Sequence, residues 1–171
     1  GNLFHQCNGE GEIISVKSNE NHFVGNTFLE CEGALTLRHA HRCVVEDNVF
    51  IGNHKRRTGG VRIIGEDHVV RRNYFEALEG DEVKNARVEN NTAIDCKVTL
   101  AIGESDRKEA TLPPVNCTVT DNIFISPKRP IIDTAKPGPG WTWQNNVMIG
   151  KSIGIEGLPG IVTKQPTIMK P

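Results

Sequence analysis

Two carboxylates and a lysine near the start of the chain are suited to metal binding and proton transfer. Glu10 and Glu12 are separated by one residue, and on a β-strand that spacing places both side chains on the same face. Two carboxylates held so close repel each other unless a cation lies between them, and such oxygen ligands suit Ca²⁺. Lys17 follows five residues after Glu12, and a lysine near other cations or partly desolvated can act as a base. Taken alone, the acids also fit a solvated face, and a single lysine is usually only a surface charge.

Three cations recur at intervals of roughly one structural repeat. Arg38 lies 21 residues after Lys17, and Arg62 lies 24 residues after Arg38. In a solenoid, side chains one repeat apart stack on neighbouring coils, so this spacing predicts a vertical cationic stripe. On a chain with a net charge of −1, such a stripe indicates a local polyanionic ligand. Either arginine could bind a carboxylate through two parallel hydrogen bonds.

The elements that must position these side chains follow from an internal repeat. Its template is an apolar residue, two variable residues, Asn, one variable residue and a second apolar residue. The mean spacing is 24 residues, and the six copies centre on Asn26, Asn48, Asn73, Asn91, Asn122 and Asn146. Short runs rich in Val, Ile, Leu and Thr accompany the copies, which is typical of strands. These runs are 12–16, 34–37, 61–64 and 98–102.

This repeat predicts an all-β chain folded as a right-handed parallel β-helix of about six to seven coils. Leucine-rich repeats need a Leu-x-x-Leu-x-Leu pattern, which is absent, and an antiparallel sandwich with Asn-rich turns is the remaining alternative. We expect each repeat Asn to adopt a left-handed turn conformation and to bond to the next coil, forming a ladder. We further expect one partial domain, with the catalytic-region coils in 1–80, the C-terminal coils in 81–171 and earlier coils missing.

Composition argues against several classes of protein. The balance of 20 Lys and Arg against 21 Asp and Glu disfavours general nucleic-acid binding. No apolar run approaches the roughly 20 residues that span a bilayer, so we expect no membrane insertion. The five cysteines include no CxxC pair and indicate neither a zinc site nor an obvious disulfide framework. Small buried core residues are the simpler interpretation of them.

Three motifs resemble the polysaccharide lyase family of alginate lyases and chondroitinase B. They are Glu10-x-Glu12-x4-Lys17-Ser18, Leu35-Thr36-Leu37-Arg38-His39 and Gly59-Gly60-Val61-Arg62-Ile63-Ile64-Gly65. The resemblance implies a right-handed parallel β-helix and β-elimination at the uronic acid residues of an anionic polysaccharide. Alginate is the expected substrate, and the protein is expected to be secreted or periplasmic.

The resemblance also implies a role for four of the site residues. Lys17 matches the general base that removes the C5 proton, and Arg38 matches the residue that assists as an acid at the leaving glycosidic oxygen. Glu10 and Glu12 match two ligands of a Ca²⁺ that neutralises the substrate carboxylate. The third ligand, an Asn, is expected upstream of residue 1, from missing N-terminal coils or from a partner chain.

His39, Arg62 and His68 are the predicted substrate contacts. For His68, a structural histidine in the core is the alternative. Three functions stay open at this point: a lyase acting on alginate or dermatan sulfate, a β-helix that binds polyuronate without turnover, and a purely structural segment such as part of a surface adhesin.

Overall fold

A computed structural model describes residues 1–79, 87–102, 114–134, 138–164 and 166–168. The elements in these ranges are all short β-strands, and every pairing between these strands is parallel. Each strand is hydrogen-bonded to the strand that occupies the same place on the next coil, so the described chain is a parallel β-helix. The antiparallel sandwich is excluded. Within these ranges there is no helix with the length and apolarity that a bilayer crossing requires.

The strands stack into three main sheets and one small sheet, and within each sheet their order follows the chain. The largest sheet contains β1 (Leu3–His5), β4 (Thr27–Leu29), β7 (Val49–Ile51), β10 (Tyr74–Glu76), β12 (Thr92–Ile94), β15 (Ile123–Pro130), β18 (Asn146–Ser152) and β19 (Ile161–Val162). The second contains β3 (His22–Val24), β6 (Val44–Glu46), β9 (Val69–Arg71), β11 (Arg87–Glu89), β14 (Thr118–Thr120) and β17 (Thr142–Gln144). The third contains β2 (Glu12–Val16), β5 (Gly33–Leu37) and β8 (Thr58–Ile63), and the small sheet pairs β13 (Leu100–Ile102) with β16 (Ile132–Thr134).

An asparagine ladder runs along the corner between the second and the largest sheet, as predicted. Each ladder Nδ2 before Asn146 donates to the Oδ1 of the asparagine on the following coil at 2.9–3.1 Å. The same Oδ1 also accepts the backbone N–H of the donating residue. Asn2 extends the six predicted members by one coil. Because an unpaired buried amide is costly, this pairing is what allows a polar column inside the fold.

The left-handed conformation lies one residue before each of the six predicted asparagines, so the expectation that the Asn itself adopts it is wrong. Asp47, Arg72 and Asn90 have φ of 56°, 54° and 55°, and Gly25 has φ of 66°. The preceding residue makes the sharp corner, which leaves the asparagine side chain free to point inward along the stack.

Aromatic side chains form a second inner column on the largest sheet. Phe4, Phe28, Phe50 and Phe75 stack with ring centroids 4.5–4.9 Å apart and interplanar angles of 3–15°. The column is interrupted at the next coil by Ala93, the register partner of Phe75. A cavity of about 40 Å³ lies at this interruption.

Candidate active site

The third sheet carries the predicted chemistry on its outer face. Leu35, Leu37, Val61 and Ile63 are completely buried and fill the core. Because side chains alternate along a strand, the residues between them face outward. The sheet therefore presents one row of core residues inward and a row of polar and charged residues outward.

Lys17 and Arg38 are neighbours on this outer face. Val16 pairs in register with Leu37, and the Arg38 backbone N donates to the Val16 carbonyl at 3.0 Å. Lys17 and Arg38 are the next residues on the two coils, so the 21-residue spacing brings them together. Lys17 is exposed, and no ion pair or hydrogen bond of its side chain occurs within the part of the chain that the structure describes.

Arg62 does not stand in line with the other two cations. Its register partner is Thr36, two residues before Arg38, so this coil is longer than the 24-residue spacing implied. Two residues are one full period of a strand, and Arg62 therefore still faces outward, displaced by about 7 Å along the strand. The predicted vertical stripe is wrong in this respect, and the three cations form an oblique patch.

A close ion pair joins Glu12 to Arg38 across the first two coils of the sheet. Arg38 Nε donates to Glu12 Oε1 at 2.8 Å, and the Arg38 Nη2 contacts the same oxygen. Burial alone would raise the pKa of Glu12, but hydrogen bonds from Arg38 and Ser15 and the charges of Arg38 and Arg62 outweigh it and lower the pKa. The same hydrogen bond and charge raise the pKa of Arg38.

Thr36 lies on β5 between the two positions that the ion pair joins. Glu12 pairs in register with Ala34 on this strand, and Arg38 follows the end of the strand at Leu37. Thr36 is completely buried although it faces outward. Its hydroxyl has no hydrogen-bond partner among the described residues. Neither this residue nor the Ser15 contact was foreseen from the sequence, because both depend on side-chain geometry rather than on spacing.

Glu10 lies outside the strand on which the same-face prediction relied. Strand β2 begins at Glu12, and Glu10 is an exposed residue in the preceding bend. The alternation argument therefore does not apply to this pair of carboxylates. Both contacts from Arg38 end on Oε1 of Glu12, so Oε2 is not used by that arginine.

The carboxylates at Glu10 and Glu12 fit Ca²⁺ in kind but not in number. Calcium takes six to eight oxygen ligands, whereas no group of three or more His, Cys, Asp and Glu side chains converges within the described ranges. Further ligands of such an ion would be backbone or amide oxygens, water or residues outside the described ranges.

The two predicted histidines occupy opposite environments. His39 is exposed beside Arg38, and its backbone N donates to the Val16 carbonyl at 3.3 Å. His68 is completely buried, and its Nδ1 accepts the Cys43 backbone N–H at 3.2 Å. Burial lowers the pKa of His68, against hydrogen bonds with the backbone of Ile64 and Ala40. A polymer on the outer face cannot reach His68, so its predicted substrate contact is not supported and the structural alternative describes it.

A second group of charges borders the Glu10 bend and was not predicted. Lys55 Nζ donates to Asn8 Oδ1 and to the Glu30 carbonyl, both at 2.9 Å. Lys55 and Arg57 each lie 3.8 Å from the Glu32 carboxylate. The basic run at 55–57 is the sequence signal that could have indicated this cluster.

A family model described as chondroitinase B matches residues 1–98, which include every predicted site residue. That match spans more than half of the chain. The chain belongs to the chondroitinase B family. Comparison with curated proteins gives no match.

Solved structures of polysaccharide lyases share the fold. AlyGC, an alginate lyase of polysaccharide lyase family 6, is 31% identical over 98% of this chain with a TM-score of 0.87, and the match covers 26% of AlyGC. A mannuronic acid-specific family 6 lyase from the human gut microbiota is 26% identical over 92% of this chain with a TM-score of 0.74, covering 40% of that enzyme. This member of the chondroitinase B family thus spans less than half the length of either lyase.

Proposed function

We propose that the protein is a polysaccharide lyase that cleaves a uronate-containing anionic polysaccharide by β-elimination. Alginate is the proposed substrate. The observation that carries this proposal is the adjacent placement of Lys17 and Arg38 on the outer face of a parallel sheet, in a chain of this family. The described activity of AlyGC and of the gut enzyme on alginate and mannuronic acid favours alginate over dermatan sulfate. Because such a polymer lies outside the cell, we also propose that the protein is secreted or periplasmic.

In this proposal Lys17 is the base. Its amine nitrogen accepts the proton from C5 of the uronate, and the C5–H electron pair becomes the C4–C5 double bond as the C4–O bond breaks. The exposed position of Lys17 on the sheet face leaves its Nζ accessible to a polymer lying across the coils.

Arg38 acts at the leaving oxygen. Since Glu12 raises the pKa of Arg38, the guanidinium serves as a charged hydrogen-bond donor that stabilises the departing oxygen while that oxygen takes a proton from water. Arg62, displaced by two residues on the same face, binds the uronate carboxylate, where a cation stabilises the charge that develops when the C5 proton leaves. His39 contacts the sugar from the exposed edge beside Arg38.

Glu10 and Glu12 are proposed as two ligands of a Ca²⁺ whose remaining ligands come from outside the described residues. The Oε2 of Glu12, which Arg38 does not contact, and the exposed carboxylate of Glu10 are the oxygens proposed for the ion. When bound, the ion would supply positive charge at the substrate carboxylate. A Glu10→Gln variant is expected to weaken calcium binding in a calorimetric titration, and unchanged binding would remove Glu10 from the ligand set.

The proposal is tested by the unsaturated product. The chain is incubated with alginate or dermatan sulfate in the presence of calcium, and absorbance is followed at about 230–240 nm, where the conjugated alkene absorbs. Lys17→Ala and Arg38→Ala are each expected to abolish the signal. Arg42→Ala is the matched control, because Arg42 makes a similar ion pair with Glu20 at 2.8 Å away from the proposed site. No signal from the unmodified chain on either polymer, or full activity in Lys17→Ala, would overturn the assignment.

A second candidate function is polyuronate binding without turnover. The observation that favours it is the engagement of Arg38 by Glu12 in the free protein. This function predicts retention on immobilised alginate that weakens with salt, because exposed charges are screened, and no rise in absorbance. The two functions are separated by running both measurements on the same preparation.

A further inference from the structure

Two cysteines occupy the same position on neighbouring coils, at the corner that follows the largest sheet. His5 pairs in register with Leu29. The pairing continues past the strands, because Gln6 N donates to the Leu29 carbonyl at 2.9 Å and Glu32 N donates to the Cys7 carbonyl at 3.1 Å. This pattern of parallel hydrogen bonds places Cys7 directly beside Cys31.

Neighbouring coils place the two cysteines within the geometric range of a disulfide. Adjacent parallel strands are about 4.8 Å apart, and the Cα atoms of bonded cysteines usually lie about 4.4–6.8 Å apart. Contact between the two residues is also seen in the pKa of Cys31, which is raised by burial first and also by the charge and the side-chain hydrogen bond of Cys7. Both are free thiols in the structure.

The environments of the two thiols differ in a way that sets an order of reaction. Cys7 is exposed, whereas Cys31 is buried with its Sγ 3.3 Å from the Phe4 carbonyl and 3.5 Å from the Leu29 carbonyl. A small disulfide oxidant can therefore reach Cys7 first, and Cys31 is held beside it to complete the bond.

The other cysteines have different neighbours on adjacent coils. Cys43 lies against His68 and the Ser18 carbonyl. Cys96 lies beside Leu78 and accepts a hydrogen bond from Ser126 at its carbonyl, and burial raises its pKa to about 11. Cys117 is buried as well, and its carbonyl accepts a hydrogen bond from Thr142 N at 2.8 Å. Since all three are buried, none of them shares the arrangement of an exposed and a buried thiol in register.

We propose that Cys7 and Cys31 form a redox-responsive pair that closes to a disulfide when the protein meets a small disulfide oxidant. The Cys7 thiolate attacks one sulfur of the oxidant, which breaks the oxidant's S–S bond and releases one small thiol. The Cys31 thiolate then attacks the Cys7 sulfur of the mixed disulfide and releases the second small thiol. The protein thus loses two electrons and two protons, and the oxidant is reduced to two thiols.

The bond would fix the segment that leads to the candidate site. Cys7 precedes Asn8, whose Oδ1 accepts from Glu32 N and Lys55 Nζ, and the chain then passes through the Glu10 bend into β2. Closing the pair would tie the start of this bend to the next coil. The inference stands on the register of the two coils and does not depend on the proposed lyase activity.

The test is to treat the folded chain with oxidised glutathione and to count the thiols after denaturation, in treated and untreated samples, because four of the five cysteines are buried in the folded chain. The five thiols are expected to fall by two, the mass is expected to fall by about 2 Da, and digestion is expected to give one linked peptide pair containing Cys7 and Cys31. The thermal midpoint is expected to rise by about 5 °C and to return on reduction.

Two variants make the result specific. Cys7→Ser, at an exposed position that tolerates substitution, is expected to show no linked peptide, whereas Cys43→Ala is expected to start with one thiol fewer and still lose two. The proposal would be overturned if the protein of original sequence still had all five thiols after treatment with oxidised glutathione. A linked peptide that joins any other pair of cysteines would also overturn it.

Discussion

The inner columns of this β-helix, which are the asparagine ladder and the stacked phenylalanines, differ from the outer face of its third sheet in how strictly they keep register. In the columns, ladder asparagines stay in register although their spacing varies from 18 to 31 residues. In the third sheet, both pairings contain a register shift, between Glu12 and Ile14 and between Gly33 and Leu35. Variation in coil length is therefore absorbed away from the columns, and part of it reaches the sheet that carries the candidate site.

The difference has a physical cause. A buried amide or a stacked ring that loses its neighbour leaves an unpaired polar group or a void, both of which are costly. An exposed side chain that shifts by two residues along the strand stays in contact with solvent, so the shift leaves no buried group unpaired and no void. Stability is thus concentrated in the columns, while the outer face can change its arrangement of charges.

The largest expected loss comes from breaking the aromatic column. Phe50 is completely buried and stacks on Phe28 at 4.5 Å and on Phe75 at 4.9 Å. We expect Phe50→Ala to lower the free energy of unfolding by about 3–5 kcal/mol, measured by urea denaturation. Val24→Ala, at a side chain 41% exposed on the second sheet, should change it by about 0.5 kcal/mol or less. Equal effects of the two substitutions would contradict the proposed division.

Interrupting the asparagine ladder should lower the free energy of unfolding by somewhat less than the Phe50→Ala substitution does. Asn73→Ala removes the acceptor of the Asn48 backbone N–H and the donor to the Val45 carbonyl, and leaves both groups buried. We expect the free energy of unfolding to fall by about 2–4 kcal/mol, which thermal or urea denaturation would measure. Gln144→Ala, at an exposed position of the second sheet, is the control and should be near neutral.

On the outer sheet, the Glu12–Arg38 pair should appear as a pH dependence. Because the pKa of Glu12 is lowered in the folded protein, its contribution is fully present above the unfolded pKa of about 4.3 and is lost as pH falls through the folded value. We expect the unfolding free energy of Glu12→Gln to approach that of the unmodified chain as pH is lowered from about 5 to 3. The control Glu66→Gln, at an exposed carboxylate, should follow the unmodified chain. A constant difference across this range would contradict the assignment.

The smallest effect is expected at Thr36. Its buried hydroxyl has no partner among the described residues, so Thr36→Val removes a desolvated group at nearly constant volume. We expect the free energy of unfolding to rise by about 1 kcal/mol or less. A loss of stability would show that the hydroxyl makes a favourable contact.

The sequence predicted the asparagine ladder but not the aromatic column, and it predicted one adjacency on the outer face. The repeat template located six of the ladder asparagines, because each copy keeps the same local pattern around its corner. Asn2 was not among the predicted members, and only its hydrogen bond to Asn26 shows that it belongs to the ladder. The spacing of Lys17 and Arg38 equals the local coil length, so their adjacency was predictable.

The rest of the site could not be read from spacing. The register of Arg62 depends on extra residues inserted before β8, and a mean coil length hides such an insertion. The position of Glu10 depends on where β2 begins. His68 gave no pattern that distinguishes a buried histidine from an exposed one. These features are set by local chain length and burial, which one sequence does not report.

The hydrogen-bonding direction of the ladder gives the stack a polarity. Each ladder amide donates towards the following coil, so the amide dipoles add head to tail and each bond polarises the next. A coil duplicated in tandem would present the same donor and acceptor to its neighbours and would continue the chain of dipoles. A coil inserted in the opposite sense would place two carbonyls or two NH₂ groups face to face. Whole coils can therefore be added to or removed from this molecule without breaking the ladder only if every coil keeps the same direction of hydrogen bonding.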